Sequence, residues 1–531
     1  MSGVFLSEPE PDVHDTTAPL PLTGETLTAA DLAAVARQGR QVALAPAARE
    51  RLAAGRKVVE DAIERDLPVY GLTRGLGPQV THSLSRADMA AFSLRTLRGR
   101  AHAVGPRLTR EQTRAVMAVR LNGLLKGGAG ISPALAEMLA AMLNRGLHPR
   151  LPSIGSVGAS DLCVLAHLGL AMVGEGEVEI DGSIVPADEA LAGAGLKPAK
   201  LGPKDGIALC SASSMSVGLA GLALHDAGEL WRLAQLAAAA TLEGFRGNLT
   251  PHDPLATAAR PAPGQQEASA HLLTILAGSD LIDTSKARRL QDPLSIRTVG
   301  PLHGSLLAAI RFLEPAVLAE LNGAGDNPLA VLEDGRLIST ANFHTPALAI
   351  ALETLSQAVA QAASGSVARS AKLLSPGLSD LPLGLSPRGP GNSALAPFLK
   401  IAESLLQEIR HLAQPVPNDQ RWAGEGVEDE ITSAPQAAKK LTEALWCTRL
   451  VLGIEIMTAA QAVELRKTVS APIIAQAFKA LRDIVPAVDE DRSLSADLEL
   501  FDAELLKNST LLTRAGVPGV PQPSSSRTAP K

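Results

Sequence analysis

The chain has 531 residues, a formal net charge of −6 and 46% apolar residues, but only three Trp, one Tyr and eight Phe. Its core must therefore be built mainly from Ala, Leu, Val and Ile. Ala and Leu favour helices, whereas sheets draw on β-branched and aromatic side chains, so this composition excludes an all-β fold. Because Lys and Arg are scattered along a mildly acidic chain, there is no basic patch of the kind that binds nucleic acid.

Both ends of the chain are predicted to be disordered. Residues 1–24 combine prolines with acidic and small residues, and residues 506–531 end in a Pro- and Ser-rich stretch. The acidic N-terminus lacks the basic start and apolar run of a secretory signal, and charged residues interrupt the longer apolar stretches. The cysteines, Cys163, Cys210 and Cys447, are far apart and form no CxxC pair, so neither a disulfide framework nor a metal site is expected. We expect a cytoplasmic protein without a membrane partner.

Between these ends, a helical spacing of apolar residues predicts several long helices. A short hairpin comes first, where residues 177–184 alternate around Asp181-Gly182. The predicted long helices follow over residues 213–245, 346–372, 392–412 and 434–466. Helices of this length bury their apolar stripes by packing against one another. We therefore predict a helical bundle over residues 211–505 and a smaller N-terminal domain over residues 25–210.

The loop before residue 161 is the most informative segment for function. The sequence LPSIGSVGAS (151–160) is rich in small residues and passes into a helical pattern at Asp161, an acceptable N-cap or first-turn residue. Backbone N–H groups at such a helix start would converge on Ala159 and Ser160. The segment therefore indicates either a site for an anion or electrophile or a capped helix entry.

The same segment resembles the histidine and phenylalanine ammonia-lyase family, whose site motif runs Gly-Ser-Val-Gly-Ala-Ser-Gly-Asp-Leu. Further stretches match the family in order between about residue 25 and about residue 490. They are Tyr70-Gly71 with Gly75 and Gly77, Arg120-Leu121-Asn122, Arg260-Pro261, Gln291-Asp292-Pro293 with Arg297, Asp326-Asn327-Pro328, Asn342-Phe343-His344 and Glu428-Asp429.

This resemblance implies a mainly α fold, with a long-helix bundle of the aromatic amino acid ammonia-lyase type and a smaller N-terminal domain that bears the site. It implies a homotetramer whose sites are shared between subunits. The implied activity is that of a carbon–nitrogen lyase, which eliminates ammonia or an amine from a histidine-like or phenylalanine-like α-amino acid to give an α,β-unsaturated acid. The amino acid would be its small-molecule partner, and no added cofactor is expected.

In that family the Ala-Ser-Gly triplet cyclises and dehydrates to the electrophilic group 4-methylideneimidazol-5-one. Here Ala159-Ser160 is followed directly by Asp161, so either the glycine is deleted or Asp occupies its place. Cyclisation brings the amide nitrogen of the third residue to the carbonyl carbon of the first, an approach that Gly permits because it has no Cβ. Ser211-Ala212-Ser213 also stands where the family has Asn-Gly-Thr. Two alternatives stay open: the group forms from Ala159-Ser160-Asp161, or it does not form.

The resemblance assigns catalytic roles to Tyr70, Ala159, Ser160, Asp161 and Glu428. Tyr70, the only tyrosine, would remove the β-proton as a general base, and Glu428 would assist the departing amine. Arg297 would hold the substrate carboxylate through its planar guanidinium. The structural alternatives are a packing tyrosine, a solvated acidic run over residues 425–430 and a surface ion pair.

The same resemblance adds residues that would bind the substrate: His102, Phe343, Ser211, Gln291 and Asn327. His102 lies in RGRAHAVG, which matches the region where the family discriminates substrate side chains, and Phe343 would pack beside the substrate. A single histidine among small residues can equally be structural.

Three functional hypotheses follow. The first is an ammonia-lyase that uses the self-formed group. The second is elimination without that group, on a substrate with an easier leaving group such as a quaternary amine. The third is a non-catalytic homologue, although the joint presence of Tyr70, Arg297 and Glu428 favours an enzyme. The glycine-rich loop at residues 71–78 lacks the GK[ST] ending of a phosphate-binding loop, and no GxSxG elbow indicates a hydrolase.

Overall fold

Helices dominate the computed structural model, which describes residues 18–416 and 424–522. In the N-terminal part the α-helices are α1 (Ala29–Arg37), α2 (Pro46–Glu64), α3 (Arg86–Arg98), α4 (Arg110–Leu124), α5 (Pro133–Asn144), α6 (Leu162–Met172), α7 (Ala187–Gly193) and α8 (Asp205–Cys210). They continue with α9 (Ser214–Phe245), α10 (Pro254–Ala258), α11 (Gln265–Ile275), α12 (Leu294–Arg297), α13 (Val299–Leu321), α14 (Pro346–Leu374), α15 (Pro376–Ser379), α16 (Phe398–Leu412), α17 (Ala434–Arg466), α18 (Pro472–Arg482), α19 (Ser495–Phe501) and α20 (Thr510–Ala515). The prediction of a mainly α fold is confirmed.

The strands are short and pair in four small sheets. These are parallel β1 (Leu20–Leu22) and β2 (Val42–Leu44), antiparallel β3 (Val104–Arg107) and β5 (Pro152–Ile154), the three-stranded sheet of β4 (His148–Pro149), β6 (Glu177–Ile180) and β7 (Ser183–Pro186), and antiparallel β8 (Leu329–Val331) and β9 (Arg336–Ile338). The predicted hairpin is confirmed as β6 and β7. Its turn residues Asp181 and Gly182 both have positive φ, as a two-residue hairpin turn of this hand requires.

Two long helices form the axis of the bundle. Helix α9 has 32 residues and α17 has 33, so each is about 50 Å long, and they pack against one another. Helices α13, α14 and α16 surround them. The Ala-rich stretch 237–240 of α9 is fully buried, because small side chains allow neighbouring helices to approach closely.

One buried ion pair joins three of these helices. Arg369 of α14 donates to Glu455 of α17, with Nε–Oε1 at 2.6 Å, and neither side chain is exposed. Thr241 of α9 donates to the same carboxylate at 2.8 Å. The pair therefore fixes how α9, α14 and α17 sit together in the core.

The N-terminal part packs onto this bundle through α1 and α4, which both contact α9. Helices α3, α6 and α8 pack together beside them. The division of the chain at residue 210 stays a prediction.

The predicted disordered ends are wrong where the structure describes them. Strand β1 lies within residues 1–24 and pairs with β2, and helix α20 lies within residues 506–531. Arg232 donates to the carbonyl oxygens of Val517 and Pro518, and so holds the Pro-rich stretch on α9. Sequence periodicity cannot reveal such a segment, because hydrogen-bond donors that are distant in the chain hold it in place. Residues 1–17 and 523–531 lie outside the described residues.

Helix α16 also begins later than predicted, at Phe398 and not at residue 392. The carboxylate of Asp491 accepts the backbone N–H groups of Ser393 and Ala394, and Ala394 has a positive φ. Pro397 then occupies the N-cap position, where its missing N–H costs nothing.

Two helical stretches, Asp205–Phe245 and Val299–Leu321, are long and apolar enough to cross a membrane by length and composition. The most apolar part of the first is wholly buried inside the protein, as in the core helix of a soluble protein.

Candidate active site

A cavity of about 910 Å³ opens between the N-terminal part and the start of the bundle. Seven of the residues predicted for the site line it: Tyr70, Ala159, Ser160, Ser211, Asn327, Phe343 and Glu428. They come from segments up to 358 positions apart in the chain, between residues 70 and 428. The structure therefore brings most of the predicted site together within one chain.

The loop that carries Ala159 and Ser160 is held against the start of α17. Ser433 N donates to Val157 O at 3.0 Å, Thr432 Oγ1 donates to Gly158 O at 3.0 Å, and Gln436 Nε2 donates to Ser156 O at 3.0 Å. Ser160 itself has a φ of +64°, an unusual conformation for a residue with a side chain. These contacts fix the loop at the cavity wall.

Asp161 lies beneath this loop and does not line the cavity. Its side chain is fully buried, and its carboxylate accepts Ser216 N at 2.9 Å and Ser216 Oγ at 3.0 Å. Burial raises the pKa of Asp161, against the effect of these hydrogen bonds. Asp161 is the N-cap residue of α6, as predicted, but its carboxylate caps α9 and not its own helix. Its catalytic role stays a prediction, and its side chain does not reach the cavity.

Three helix N-termini meet at this loop. Helix α6 begins directly after Asp161, α9 begins at Ser214, and α17 begins at Ala434, beside the Ser433 contact. Each N-terminus carries a partial positive charge, and at the start of α9 the Asp161 carboxylate already accepts one N–H group. The cavity wall near Ala159 and Ser160 therefore favours negative charge.

Tyr70 lies on a loop that folds back on itself. Thr73 Oγ1 donates to Leu67 O at 2.5 Å and accepts Val69 N at 2.7 Å, which ties the ends of the turn together. The phenolic oxygen of Tyr70 accepts a hydrogen bond from Gly77 N at 3.0 Å. Because the hydroxyl acts as acceptor towards its own loop, its proton is free to face the cavity.

Another part of the cavity wall carries Asn327 and Phe343. Asn327 Oδ1 accepts Thr340 N at 3.0 Å, and Ser213 Oγ donates to the Phe343 carbonyl at 2.8 Å. An isolated bridge pairs His344 with Ala159, so this segment is attached directly to the loop over α6. The hydrogen bond from the Thr340 backbone therefore orients the Asn327 side chain.

Two arginines in the cavity wall were missed by sequence reasoning. Arg74 follows Tyr70 in the glycine-rich loop, and its guanidinium contacts Ser83 Oγ. Arg100 follows the end of α3 and is half-buried. The closeness of Arg74 to Tyr70 in the chain could have indicated that Arg74 lines the cavity. No sequence feature marks Arg100, because the direction of its side chain depends on how α3 packs.

Three predicted substrate-binding residues do not line the cavity of this chain. Arg297 and Gln291 lie together at α12, where the Gln291 amide oxygen, turned towards Arg297, accepts from its guanidinium. His102 is exposed, and Arg100 faces the cavity in its place. Their substrate-binding roles stay predictions, because the resemblance implies sites that are shared between subunits.

The residues at 159–161 do not fit 4-methylideneimidazol-5-one. The backbone nitrogen of Asp161, which would have to attack the Ala159 carbonyl carbon, donates to Ala212 O at 2.8 Å. The buried carboxylate of Asp161 is held by Ser216 and cannot swing aside without leaving the Ser216 N–H unpaired at the start of α9. The chain therefore has neither the glycine nor a free nitrogen for ring closure.

Known proteins resemble this chain over nearly its whole length. Residues 27–483 match the profile of the family described as aromatic amino acid lyase. The histidine ammonia-lyase of Anaeromyxobacter dehalogenans (strain 2CP-C) is 38% identical over 490 residues, which cover 90% of this chain and 96% of the relative.

Solved structures agree with this match. Ergothionase from Treponema denticola, an ergothioneine degrading enzyme, has a TM-score of 0.88 at 33% identity and covers 93% of this chain and 100% of its own. Histidine ammonia-lyase from Trypanosoma cruzi has a TM-score of 0.88 at 26% identity, with coverage of 96% and 100%. This chain belongs to the aromatic amino acid lyase family and is a carbon–nitrogen lyase of the ammonia-lyase type.

Proposed function

We propose that this protein eliminates a tertiary amine from the betaine of an aromatic or heteroaromatic α-amino acid, leaving an α,β-unsaturated acid, without 4-methylideneimidazol-5-one. The observation that carries the proposal is the state of Asp161, whose nitrogen and carboxylate are both committed to hydrogen bonds. Without an electrophile, a primary ammonium group is a poor substrate, because a base removes its N–H proton before the β-proton. A quaternary ammonium has no such proton and leaves as a neutral amine.

The relatives support both parts of this proposal. Histidine ammonia-lyases favour an aromatic or heteroaromatic amino acid as the substrate class. Ergothioneine, the compound degraded by the ergothionase relative, is a trimethylammonium betaine of a histidine-like amino acid. A betaine of this kind fits the second of the three hypotheses raised by the sequence.

Tyr70 is the proposed general base. The hydroxyl first gives its own proton to solvent, and the phenolate oxygen then takes the β-proton. The electron pair of that C–H bond becomes the Cα–Cβ double bond, and the C–N pair leaves with the amine. The N–H of Gly77, 3.0 Å from the phenolic oxygen, is placed to stabilise an oxygen that carries negative charge. Glu428 lines the cavity, and its negative charge would face the positive charge of the quaternary ammonium. The ring of Phe343, also in the cavity wall, would offer a cation–π contact to the same group.

We also propose a cytoplasmic homotetramer with shared sites. Arg297 and Gln291 lie away from the cavity of their own chain, next to Leu290 and Leu294, which are 96% and 64% exposed. Large apolar side chains that are strongly exposed and close together are typical of a subunit interface. Across that interface Arg297 of a second copy would complete the cavity and hold the substrate carboxylate. A monomer in a solution mass measurement would contradict this assembly.

The first test compares leaving groups and mass. The trimethylammonium betaines of histidine and phenylalanine should release trimethylamine and give the absorbance of the conjugated acid, whereas the parent amino acids should not react. Intact-protein mass should equal that of the unmodified chain. A mass lower by two waters, together with turnover of the primary amino acids, would instead establish the ring-dependent ammonia-lyase.

A second test concerns the base. Tyr70→Phe removes only the hydroxyl and should lower kcat by about 10²–10⁴-fold, the usual contribution of a general base. Thr81→Val is the matched control, since it removes an exposed hydroxyl from the same loop and should leave kcat unchanged. Equal activity of the Tyr70→Phe variant and the parent would rule out the assignment.

A further inference from the structure

Two buried hydroxyl groups in the cavity wall have no hydrogen-bond partner. Ser160 and Ser211 both line the cavity, and they are only 5% and 6% exposed. Within residues 18–416 and 424–522 neither of their Oγ atoms makes a hydrogen bond. A buried hydroxyl that stays unpaired costs roughly 1–3 kcal/mol, so a ligand that pairs with both hydroxyls would gain from binding there.

The backbone segments that carry these two hydroxyls are joined to each other. Asp161 N donates to Ala212 O at 2.8 Å, and Ser160 and Ser211 directly precede these two residues. The carbonyl oxygen of Ser160 accepts Ser156 Oγ at 3.0 Å, which fixes the backbone on the other side of the hydroxyl. The two hydroxyls are therefore held near each other at one part of the cavity wall.

The chemistry of a betaine restricts what these hydroxyls can bind. A quaternary ammonium has no N–H to donate, so the hydroxyls must be the donors, and the carboxylate is the strong acceptor of the substrate. The N-termini of α6 and α17 meet at the same loop and add partial positive charge, while the Asp161 carboxylate is committed to the start of α9. A carboxylate is therefore favoured over an ammonium group beside Ser160.

We propose that Ser160 and Ser211 bind the carboxylate of the substrate through their hydroxyl groups. This inference rests on the proposed function, since it names the group of the betaine that this part of the cavity holds. Formation of 4-methylideneimidazol-5-one would consume the Ser160 hydroxyl, so the ring and this binding site exclude each other. The shared site is compatible with it, because each carboxylate oxygen has two lone pairs and can accept both from Arg297 of a second copy and from a hydroxyl.

Binding of two unreactive compounds tests the inference separately from catalysis. The trimethylammonium betaine of phenylglycine has no β-hydrogen and cannot be eliminated, and its carboxamide has a neutral amide in place of the carboxylate. Calorimetry on the intact protein gives a Kd for each compound. Ser160→Ala and Ser211→Ala should each raise the Kd of the betaine about 10–100-fold, the range expected for a hydrogen bond to a charged group, and that of the carboxamide at most about 5-fold.

Ser153→Ala is the matched control, because it removes a hydroxyl from the same loop that does not line the cavity, and it should leave both Kd values unchanged. Ser160→Gly also removes the hydroxyl and adopts the positive φ of residue 160 without strain, so it takes the place of Ser160→Ala if that variant does not fold.

Two outcomes would overturn the inference. One is an unchanged Kd of the betaine in either alanine variant, and the other is a rise by the same factor for the betaine and the carboxamide. Failure to release amine from any betaine, while Ser160→Ala still weakens binding of the betaine selectively, would overturn the proposed function alone.

Discussion

At the scale of single residues, Gly158 decides how closely the loop over α6 approaches α17. Its φ is +90°, and a Cβ placed on it would lie 2.0 Å from Thr432 Oγ1. The same Thr432 hydroxyl donates to the Gly158 carbonyl. A side chain at residue 158 would therefore both strain the backbone and push the loop, with Ser160, away from the helix start.

Replacing Gly158 by alanine tests this close approach. Gly158→Ala should lower the free energy of unfolding by about 2–4 kcal/mol, since the cost of a positive φ adds to that of overpacking. Gly182→Ala is the control, because Gly182 has a φ of +84° but nothing within 4 Å of the added Cβ, and it should lose only about 1 kcal/mol. Urea unfolding measures both, and equal losses would show that the contact with Thr432 does not matter.

Individual site residues were predictable to different degrees. Tyr70 and Glu428 could be placed from the sequence, because short motifs around them match a family pattern. Arg100 could not, since only the packing of α3 decides that it faces the cavity while Arg98 faces solvent. The commitment of Asp161 to α9 was equally hidden, because its partner Ser216 is 55 positions away.

At the scale of elements, long helices were the easiest to predict. The predicted bounds of α9 and α17 agree with the structure within one residue, because apolar spacing repeats over more than thirty positions. Periodicity does not predict that the segment after α20 is ordered. There Arg232 and Arg311 donate hydrogen bonds to carbonyl oxygens of the Pro-rich stretch. Nor could it show which helices are joined by the pair of Arg369 and Glu455.

This buried pair leads to a prediction about α14 and α17. Arg369→Met leaves the Glu455 carboxylate buried with Thr241 as its remaining side-chain partner, and should cost about 3–5 kcal/mol of unfolding free energy. The double variant Arg369→Met/Glu455→Leu should lose less than this single variant, because no unpaired charge remains. As a control, Lys57→Met breaks an exposed pair with Asp61 and should cost less than about 1 kcal/mol. A double variant that loses as much stability as Arg369→Met and Glu455→Leu lose in sum would contradict this account.

At the scale of the whole molecule, a layer of buried histidines connects the outer helices to the bundle. His252 precedes α10, His271 lies on α11 and His303 on α13. The rings of Trp231 of α9 and His271 lie 4.7 Å apart between centroids and are tilted by 58°, and Trp231 Nε1 donates to the His303 carbonyl at 2.9 Å. Neither ring nitrogen of His303 has a hydrogen-bond partner within the described chain. Protonation of His303 would therefore place a charge without a hydrogen-bond partner in this layer.

Acid should weaken the protein through this layer. Burial lowers the pKa of His252 to about 4 and that of His303 well below 6.5, and the charge of Arg369 lowers the latter further. The unfolded chain binds these protons near pH 6.5, so the stabilisation is complete above that pH and is lost as the pH falls towards 4. Each histidine contributes a slope of up to about 1.4 kcal/mol per pH unit.

Unfolding free energies between pH 7.5 and about pH 4.5 should therefore fall less steeply for His303→Leu than for the parent, while the exposed control His82→Asn keeps the parent slope. Buried acids such as Asp161 are common to all three proteins and cancel in the comparison, so an unchanged slope in His303→Leu would show that His303 does not take up a proton on unfolding.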